Sequence, residues 1–89
     1  MSSGEVAAAA VAALGEIGNQ EAAANLRAGL TAQVEAGLRA EYAQAAIVCA
    51  ERLFRANNTA AATEMYQQVR DADVSKQRKL EATRGLFVL

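Results

Sequence analysis

The residues that could support chemistry fall into four groups: paired carboxylates, a lone thiol, aromatic side chains and a basic cluster. Carboxylate pairs can act as general acid and base, and a thiolate can act as a nucleophile. The chain of 89 residues contains no histidine, so it lacks the usual general base and the commonest metal ligand. The single cysteine, Cys49, can form neither an internal disulfide nor a thiolate metal cluster.

The carboxylate pairs and the thiol each fit a structural role. Asp71 and Asp73 lie in a polar connector, where we expect them to end one helix and to cap the next. Glu16 and Glu21 flank a turn and could approach each other, but acidic side chains in an exposed turn are normally solvated. Cys49 falls on a predicted buried face, where a thiol acts as a small hydrophobic group. The sequence therefore predicts no enzyme activity and no catalytic, cofactor-binding or metal-binding residue.

The aromatic and basic groups could in principle bind nucleic acid. The aromatic side chains keep helical spacing to apolar neighbours, which favours core packing over base stacking: Tyr42, Phe54, Tyr66 and Phe87. The basic cluster is Lys76, Arg78, Lys79 and Arg84. Residues 1–51 contain two basic and six acidic residues, a net charge of −4. Residues 52–89 contain seven basic and four acidic residues, a net charge of +3. A solvated helix face is the expected role, because a nucleic-acid footprint normally needs a strongly basic patch.

Composition and spacing predict that helices position these groups. The chain has 23 alanines and no proline, which favours helix over sheet. Apolar spacing predicts five helices, with turns at Gly18-Asn19 and Asn57-Asn58 and a connector over 71–75. The predicted inward residues are, helix by helix, Val6, Ala10, Leu14 and Ile17; Ala22, Ala23, Leu26 and Leu30, with Val34 as an extension; Tyr42, Ala46, Cys49, Leu53 and Ala56; Ala62, Met65, Tyr66 and Val69; and Leu80, Leu86 and Leu89.

Local polar signals support the same helices. Ser2 and Glu5 match a capping box, and Asp73 or Ser75 is the predicted N-cap of the last helix. On the third helix Glu35 and Arg39, like Glu51 and Arg55, have the spacing and order of favourable ion pairs.

The chain matches itself at an offset of 39 residues. At this offset Asn19 falls on Asn58, so the two turns coincide. Core positions also coincide, because Leu26 falls on Met65 and Leu30 on Val69, Ala23 on Ala62 and Leu14 on Leu53. A period near 40 residues is typical of HEAT and armadillo repeats, whereas tetratricopeptide repeats have about 34.

The residues around the first turn, AALGEIGNQEAA over 12–23, resemble the bacterial HEAT-repeat pattern. Residues 50–66 resemble the same pattern with a tetratricopeptide character, and residues 77–86 resemble the first helix of another unit. The resemblance implies an all-α fold, an α-solenoid of antiparallel helix hairpins with about five helices. It implies one helical-repeat segment over 1–89, with hairpins at 2–36 and 38–72 and the first helix of an incomplete third at 74–89. Deoxyhypusine hydroxylase has similar repeats and binds iron through histidines, which this chain lacks.

The resulting functional hypothesis is a non-catalytic scaffold that binds a protein or peptide partner. Two alternatives are a nucleic-acid-binding repeat that uses the basic C-terminal third, and an accessory segment of a larger enzyme. Because the chain ends on the apolar run 85–89, we expect a fragment of a longer array whose fifth helix exposes apolar surface or pairs with another chain. The longest apolar run, Val6–Leu14, is shorter than the ~20 residues of a membrane span and lacks a preceding basic region. No targeting signal is visible, so the cytoplasm is the default expectation.

Overall fold

The helices of the computed structural model begin and end close to where the sequence pattern predicts them. The structure describes residues 3–31, 36–72 and 74–88. Within these ranges the chain is all-α, with five helices and no strand: α1 Ser3–Ile17, α2 Gln20–Thr31, α3 Ala36–Arg55, α4 Thr59–Asp71 and α5 Lys76–Val88. Predictions that lie outside the described residues, or on side chains that are not described, concern Ser2, Glu5, Val6, Val34, Glu35, Asp73 and Leu89.

The turns before α2 and α4 are built alike. Gly18 and Asn57 both take the left-handed backbone conformation, with φ of 61° and 66°. Glycine adopts this conformation freely, and asparagine tolerates it better than most residues do. The next residue then caps a helix: the side-chain oxygen of Asn19 accepts from the backbone N–H of the third residue on at 2.8 Å, and that of Asn58 at 3.4 Å. The predicted turns are confirmed, and they recur at the 39-residue offset.

Removing either capping side chain should destabilise the fold. We expect Asn19→Ala and Asn58→Ala each to lower the free energy of unfolding by about 1 kcal/mol, because each leaves a helix N–H without its acceptor. Asn25 is a matched control, since it is exposed within α2 and bonds only to the preceding turn's carbonyl of Glu21. Urea unfolding followed by circular dichroism measures all three variants. An equal loss in Asn25→Ala would contradict the capping role.

The buried faces of α2 and α4 are those predicted. All four predicted residues of each helix are buried: Ala22, Ala23, Leu26 and Leu30 in α2, and Ala62, Met65, Tyr66 and Val69 in α4. In α3, Ala46, Cys49 and Leu53 are buried as predicted, and Tyr42 is half-buried. The prediction for Ala56 was wrong, because α3 ends at Arg55 and Ala56 is exposed in the turn.

The predicted inner face of α1 was wrong at two positions. Ala10 and Ile17 are exposed, with Ile17 at 59%, while Leu14 is half-buried and Val11 is buried. Apolar spacing could not choose a face, because every residue from Val6 to Leu14 is apolar. The buried face of α1 is set by the close approach of the α1 and α3 backbones, because a Cβ on Gly15 would lie 2.8 Å from the carbonyl oxygen of Ala45 in α3.

The inner face of α5 also differs from the prediction. Leu80 is 57% exposed, and the buried residue is Ala82, with Leu86 half-buried. Small residues face α4, because a Cβ on Gly85 would overlap the ring of Tyr66. Phe87, predicted to be core, is 86% exposed. The expectation that the fifth helix exposes apolar surface is thus confirmed.

The helices contact one another in chain order. Each helix packs against the next helix and against the one after that. Among the described residues, no contact joins α1 to α4 or α5, or α2 to α5. Exposed ion pairs follow the same order, since Arg52 in α3 reaches Glu16 in α1, and Arg27 in α2 reaches Glu64 in α4 at 2.6 Å. Each such pair contributes at most about 1 kcal/mol.

Candidate functional site

An open groove lies between α3 and α5 above α4, with a volume of about 520 Å³. We call it the Tyr66 groove, and its lining residues are Ile47, Glu51, Phe54, Arg55, Tyr66, Glu81, Arg84 and Gly85. The volume falls within the ~300–1,000 Å³ typical of ligand pockets. Apolar and aromatic side chains are thus combined with charged groups in one concave surface.

Helical spacing brings the lining residues together from three elements. In α3, Ile47, Glu51 and Arg55 follow one another at four-residue steps and therefore share a face. In α5, Glu81 and Gly85 have the same spacing, with Arg84 beside them. The lack of a Cβ at residue 85 lets α5 approach the Tyr66 ring closely.

The charges of the groove are unevenly compensated. Glu81 accepts from the guanidinium of Arg78 through both carboxylate oxygens, at 2.9 and 3.0 Å. Among the described residues, Arg55, Arg84 and Glu51 form no ion pair, so the predicted pair between Glu51 and Arg55 was wrong. An exposed ion pair gains little free energy in water, so favourable spacing on a helix is not enough to bring the two side chains together. The groove therefore presents two uncompensated guanidinium groups and one carboxylate.

Tyr66 adds a hydrogen-bond donor to the groove. Burial raises the pKa of its phenol above the ordinary value, and the nearby charge of Glu51 raises it further. The hydroxyl is therefore protonated at neutral pH. Within the part of the chain that the structure describes, it forms no hydrogen bond. A ligand in the groove would find an apolar ring that carries an available O–H.

Cys49 is a core residue, as predicted. It has no exposed surface, and its sulfur lies 3.9 Å from the carbonyl oxygen of Asn19. Burial raises the pKa of the thiol, and the charge of Arg27 opposes this shift without reversing it. A nucleophilic cysteine requires the opposite direction of shift, because the thiolate is the reactive form.

The Cys49 shift predicts a loss of stability at alkaline pH. Below the ordinary thiol pKa of 9.0 the thiol is protonated in both states and its stabilising contribution is fully present. Above pH 9.0 the unfolded chain ionises first, so we expect the free energy of unfolding to fall. Tyr66, with an ordinary pKa of 10.0, acts in the same direction at higher pH. Urea unfolding across this range should show a shallower decline in Cys49→Ala, and equal slopes would contradict the shift.

The other predicted groups are dispersed over the surface. In the basic cluster, Lys76 and Arg84 are exposed, Lys79 is half-buried, and Arg78 is engaged by Glu81. Of these four basic residues, Arg84 alone lines the groove.

The predicted acidic groups are also taken up by local contacts. Glu16 pairs with Arg52, and Asp71 pairs with Arg70 at 3.2 Å. Ser75 caps α5, since its hydroxyl accepts from the backbone N–H of the third residue on at 3.3 Å. Within the described ranges, no three His, Cys, Asp or Glu side chains are grouped so that they could hold a metal ion. None of the described helices is long and apolar enough to cross a membrane.

Comparison with protein-family models found no family that matches this chain, and comparisons with curated protein sequences and with solved structures found no significant match. The fold and the groove are therefore the observations on which a function can be argued.

The groove itself was not predicted from the sequence. Phe54 and Tyr66 were expected in the core, and Phe54 is half-buried while Tyr66 is buried with one side toward the groove. One signal was present in the sequence: each helix carries an acidic residue followed three or four positions later by an arginine, Glu51 and Arg55 beside Phe54 and Glu81 and Arg84 beside Gly85. These residues indicate a shared groove only once α3 and α5 are known to lie side by side.

Proposed function

We propose that this chain is a non-catalytic, HEAT-like helical-repeat module, a segment of an α-solenoid that binds a protein or peptide partner. The observation that carries the proposal is that the described helices contact the helices one or two elements away along the chain. This packing leaves the Tyr66 groove open between α3 and α5. In solenoids each repeat contacts only its neighbours, and the extended surface that results serves for binding.

The repeated turn supports the solenoid assignment. The left-handed residue and the capping asparagine recur at the 39-residue offset, and so do the buried residues Leu26 and Met65. In this arrangement α1 with α2 and α3 with α4 form two successive hairpins, and α5 begins a third. The alanines suit such stacking, because small side chains let helix axes approach closely.

The exposed surface of α5 is a second candidate contact surface, for another copy of the chain. Leu80, Arg84 and Phe87 recur at steps of four and three residues and so lie along one helix face. Leu80 and Phe87 are largely exposed there. We propose that this face can mediate self-association, which light scattering of the full chain and of Phe87→Ser would detect as a loss of oligomer in the variant.

Selection from a phage-displayed library of random peptides tests the binding function. A photo-crosslinking amino acid at exposed position 51, on the groove, should capture the selected peptides. The same group at exposed position 25, in α2 and outside the groove lining, is the matched control. We expect crosslinking at 51 and little at 25. Failure to enrich any peptide over uncoated support would overturn the proposed function.

A further inference from the structure

We propose that the Tyr66 groove is selective for an acidic, apolar segment of its partner protein. In this mode an apolar side chain of the partner packs against Phe54 and Tyr66, and partner carboxylates pair with Arg55 and Arg84. The inference rests on the proposed binding function and specifies the chemistry of the partner.

The charges that line the groove favour an acidic partner. Four charged side chains line the groove, but Glu81 is already engaged by Arg78 through both of its oxygens. Two guanidinium groups and one carboxylate are then left without ion pairs among the described residues. The uncompensated charge is positive, which complements a carboxylate-bearing segment. Guanidinium groups also suit carboxylates by geometry, because they can donate two parallel hydrogen bonds.

The position of the two arginines also favours such a partner. Arg55 is the last residue of α3, and Arg84 lies in α5, so the cations come from two different helices that border the groove. Both side chains belong to exposed residues and can adjust to a ligand. A segment lying along the groove could therefore be held by carboxylates at two points, which fixes its orientation.

The aromatic lining favours an apolar side chain in the partner. Phe54 is half-buried and lines the groove, so part of its apolar surface is open to a partner side chain, and Tyr66, which is 5% exposed, lines the same groove. Aromatic residues and arginine are the residue types that most often dominate binding energy at protein interfaces. The protonated Tyr66 hydroxyl can donate to a carbonyl or carboxylate oxygen, which again favours an acceptor-rich, acidic segment.

Synthetic peptides test this selectivity on the full chain. The probes are an acidic peptide with a central leucine, its lysine counterpart, and the acidic peptide with alanine in place of leucine. We expect the acidic leucine peptide to bind at least about tenfold more tightly than either of the others. Equal binding of the acidic and lysine peptides would overturn the proposed charge selectivity, and equal binding of the alanine peptide would overturn the apolar contact.

Charge reversal locates the site. We expect the double variant Arg55→Glu and Arg84→Glu to weaken the acidic peptide at least about tenfold and to strengthen the lysine counterpart. Arg84→Lys keeps the charge but loses the paired guanidinium hydrogen bonds, so its affinity should lie between that of the unchanged protein and that of the charge reversal. Lys76→Glu is the matched control, because Lys76 is an exposed cation of α5 that does not line the groove, and it should change the affinity less than about twofold. An equal loss in Lys76→Glu would overturn the inference.

Other occupants are separate outcomes of the same experiment. Displacement of the peptide by random duplex DNA, with a steep dependence on salt, would overturn the inference in favour of nucleic acid. Self-association that is abolished by Arg55→Glu alone, a change outside the exposed α5 face, would overturn it in favour of a second copy of the chain in the groove. If library peptides are enriched but crosslink outside the groove, the inference fails while the proposed binding function stands. If none is enriched, the binding function itself fails.

Discussion

Met65→Ala is expected to lower the free energy of unfolding by about 2–5 kcal/mol. Met65 has no exposed surface and belongs to the buried hydrophobic core. Truncation removes buried apolar atoms and leaves a cavity that neighbouring side chains fill only in part. The loss is large relative to the ~5–15 kcal/mol stability of typical domains. Leu26, its counterpart at the 39-residue offset, is equally buried, and Leu26→Ala should lose a similar amount.

Leu80→Ala provides the control for this prediction. Leu80 was predicted to be inward, but it is largely exposed, so truncation should change stability by less than about 0.5 kcal/mol. Urea unfolding followed by circular dichroism at one temperature compares the variants. A loss in Leu80→Ala as large as that in Met65→Ala would show that α5 turns a different face to the core.

Gly15→Ala should lower the free energy of unfolding by about 1–3 kcal/mol, because the core of the α1–α3 contact would be overpacked. The added Cβ would meet the backbone of Ala45, with the carbonyl oxygen at 2.8 Å and the Cα at 3.0 Å. Backbone atoms cannot move aside as a flexible side chain can, so α1 and α3 must separate. This opposes the gain in helix propensity that alanine normally brings over glycine.

Gly37→Ala is the matched control for the crowded glycine. Gly37 also lies in a helix, but among the described residues no atom beyond its own helix backbone and chain neighbours lies within 4 Å of an added Cβ. Here the propensity term acts alone, and we expect a gain of about 0.4–1 kcal/mol. Thermal and urea unfolding of the two variants should therefore shift in opposite directions. A gain in both would contradict the close packing of α1 against α3.

The helices whose faces were predictable are those with a clear contrast in side-chain size and polarity. In α2 and α4, large apolar residues such as Leu26 and Met65 alternate with polar ones, so the pattern allows one buried face. The asparagines at 19 and 58 marked the helix starts because their side chains can replace a missing backbone acceptor.

The faces of α1 and α5 could not be predicted from apolar spacing, because close approach of small residues decides them. In α1 almost every residue is apolar. The buried face is the one that carries Gly15, because the missing side chain lets the backbone of Ala45 approach closely. In α5, Gly85 and Ala82 pack inward and leave the larger Leu80 outside. Apolar size predicts burial only where neighbouring helices leave room for the side chain.

The Tyr66 groove depends on the relation between helices that are distant in sequence. Glu51 and Arg55 looked like a pair within α3, and Arg84 looked like part of a basic cluster. Their common location follows only when α3 and α5 lie side by side above Tyr66. The groove therefore depends on how the helices pack against one another, and so does the partner chemistry proposed from its lining residues.

Nuclear Overhauser contacts in the full chain test that packing most directly. We predict contacts from the Tyr66 ring to Gly85 and from the Tyr42 ring to Gly29, where the glycines lie against the rings. We also predict contacts of α3 with α1 and α5, and none that join α5 to α1 or α2 among the described residues. Contacts that place α5 against α1 or α2 would indicate a closed bundle, which would contradict the proposed open array of helices.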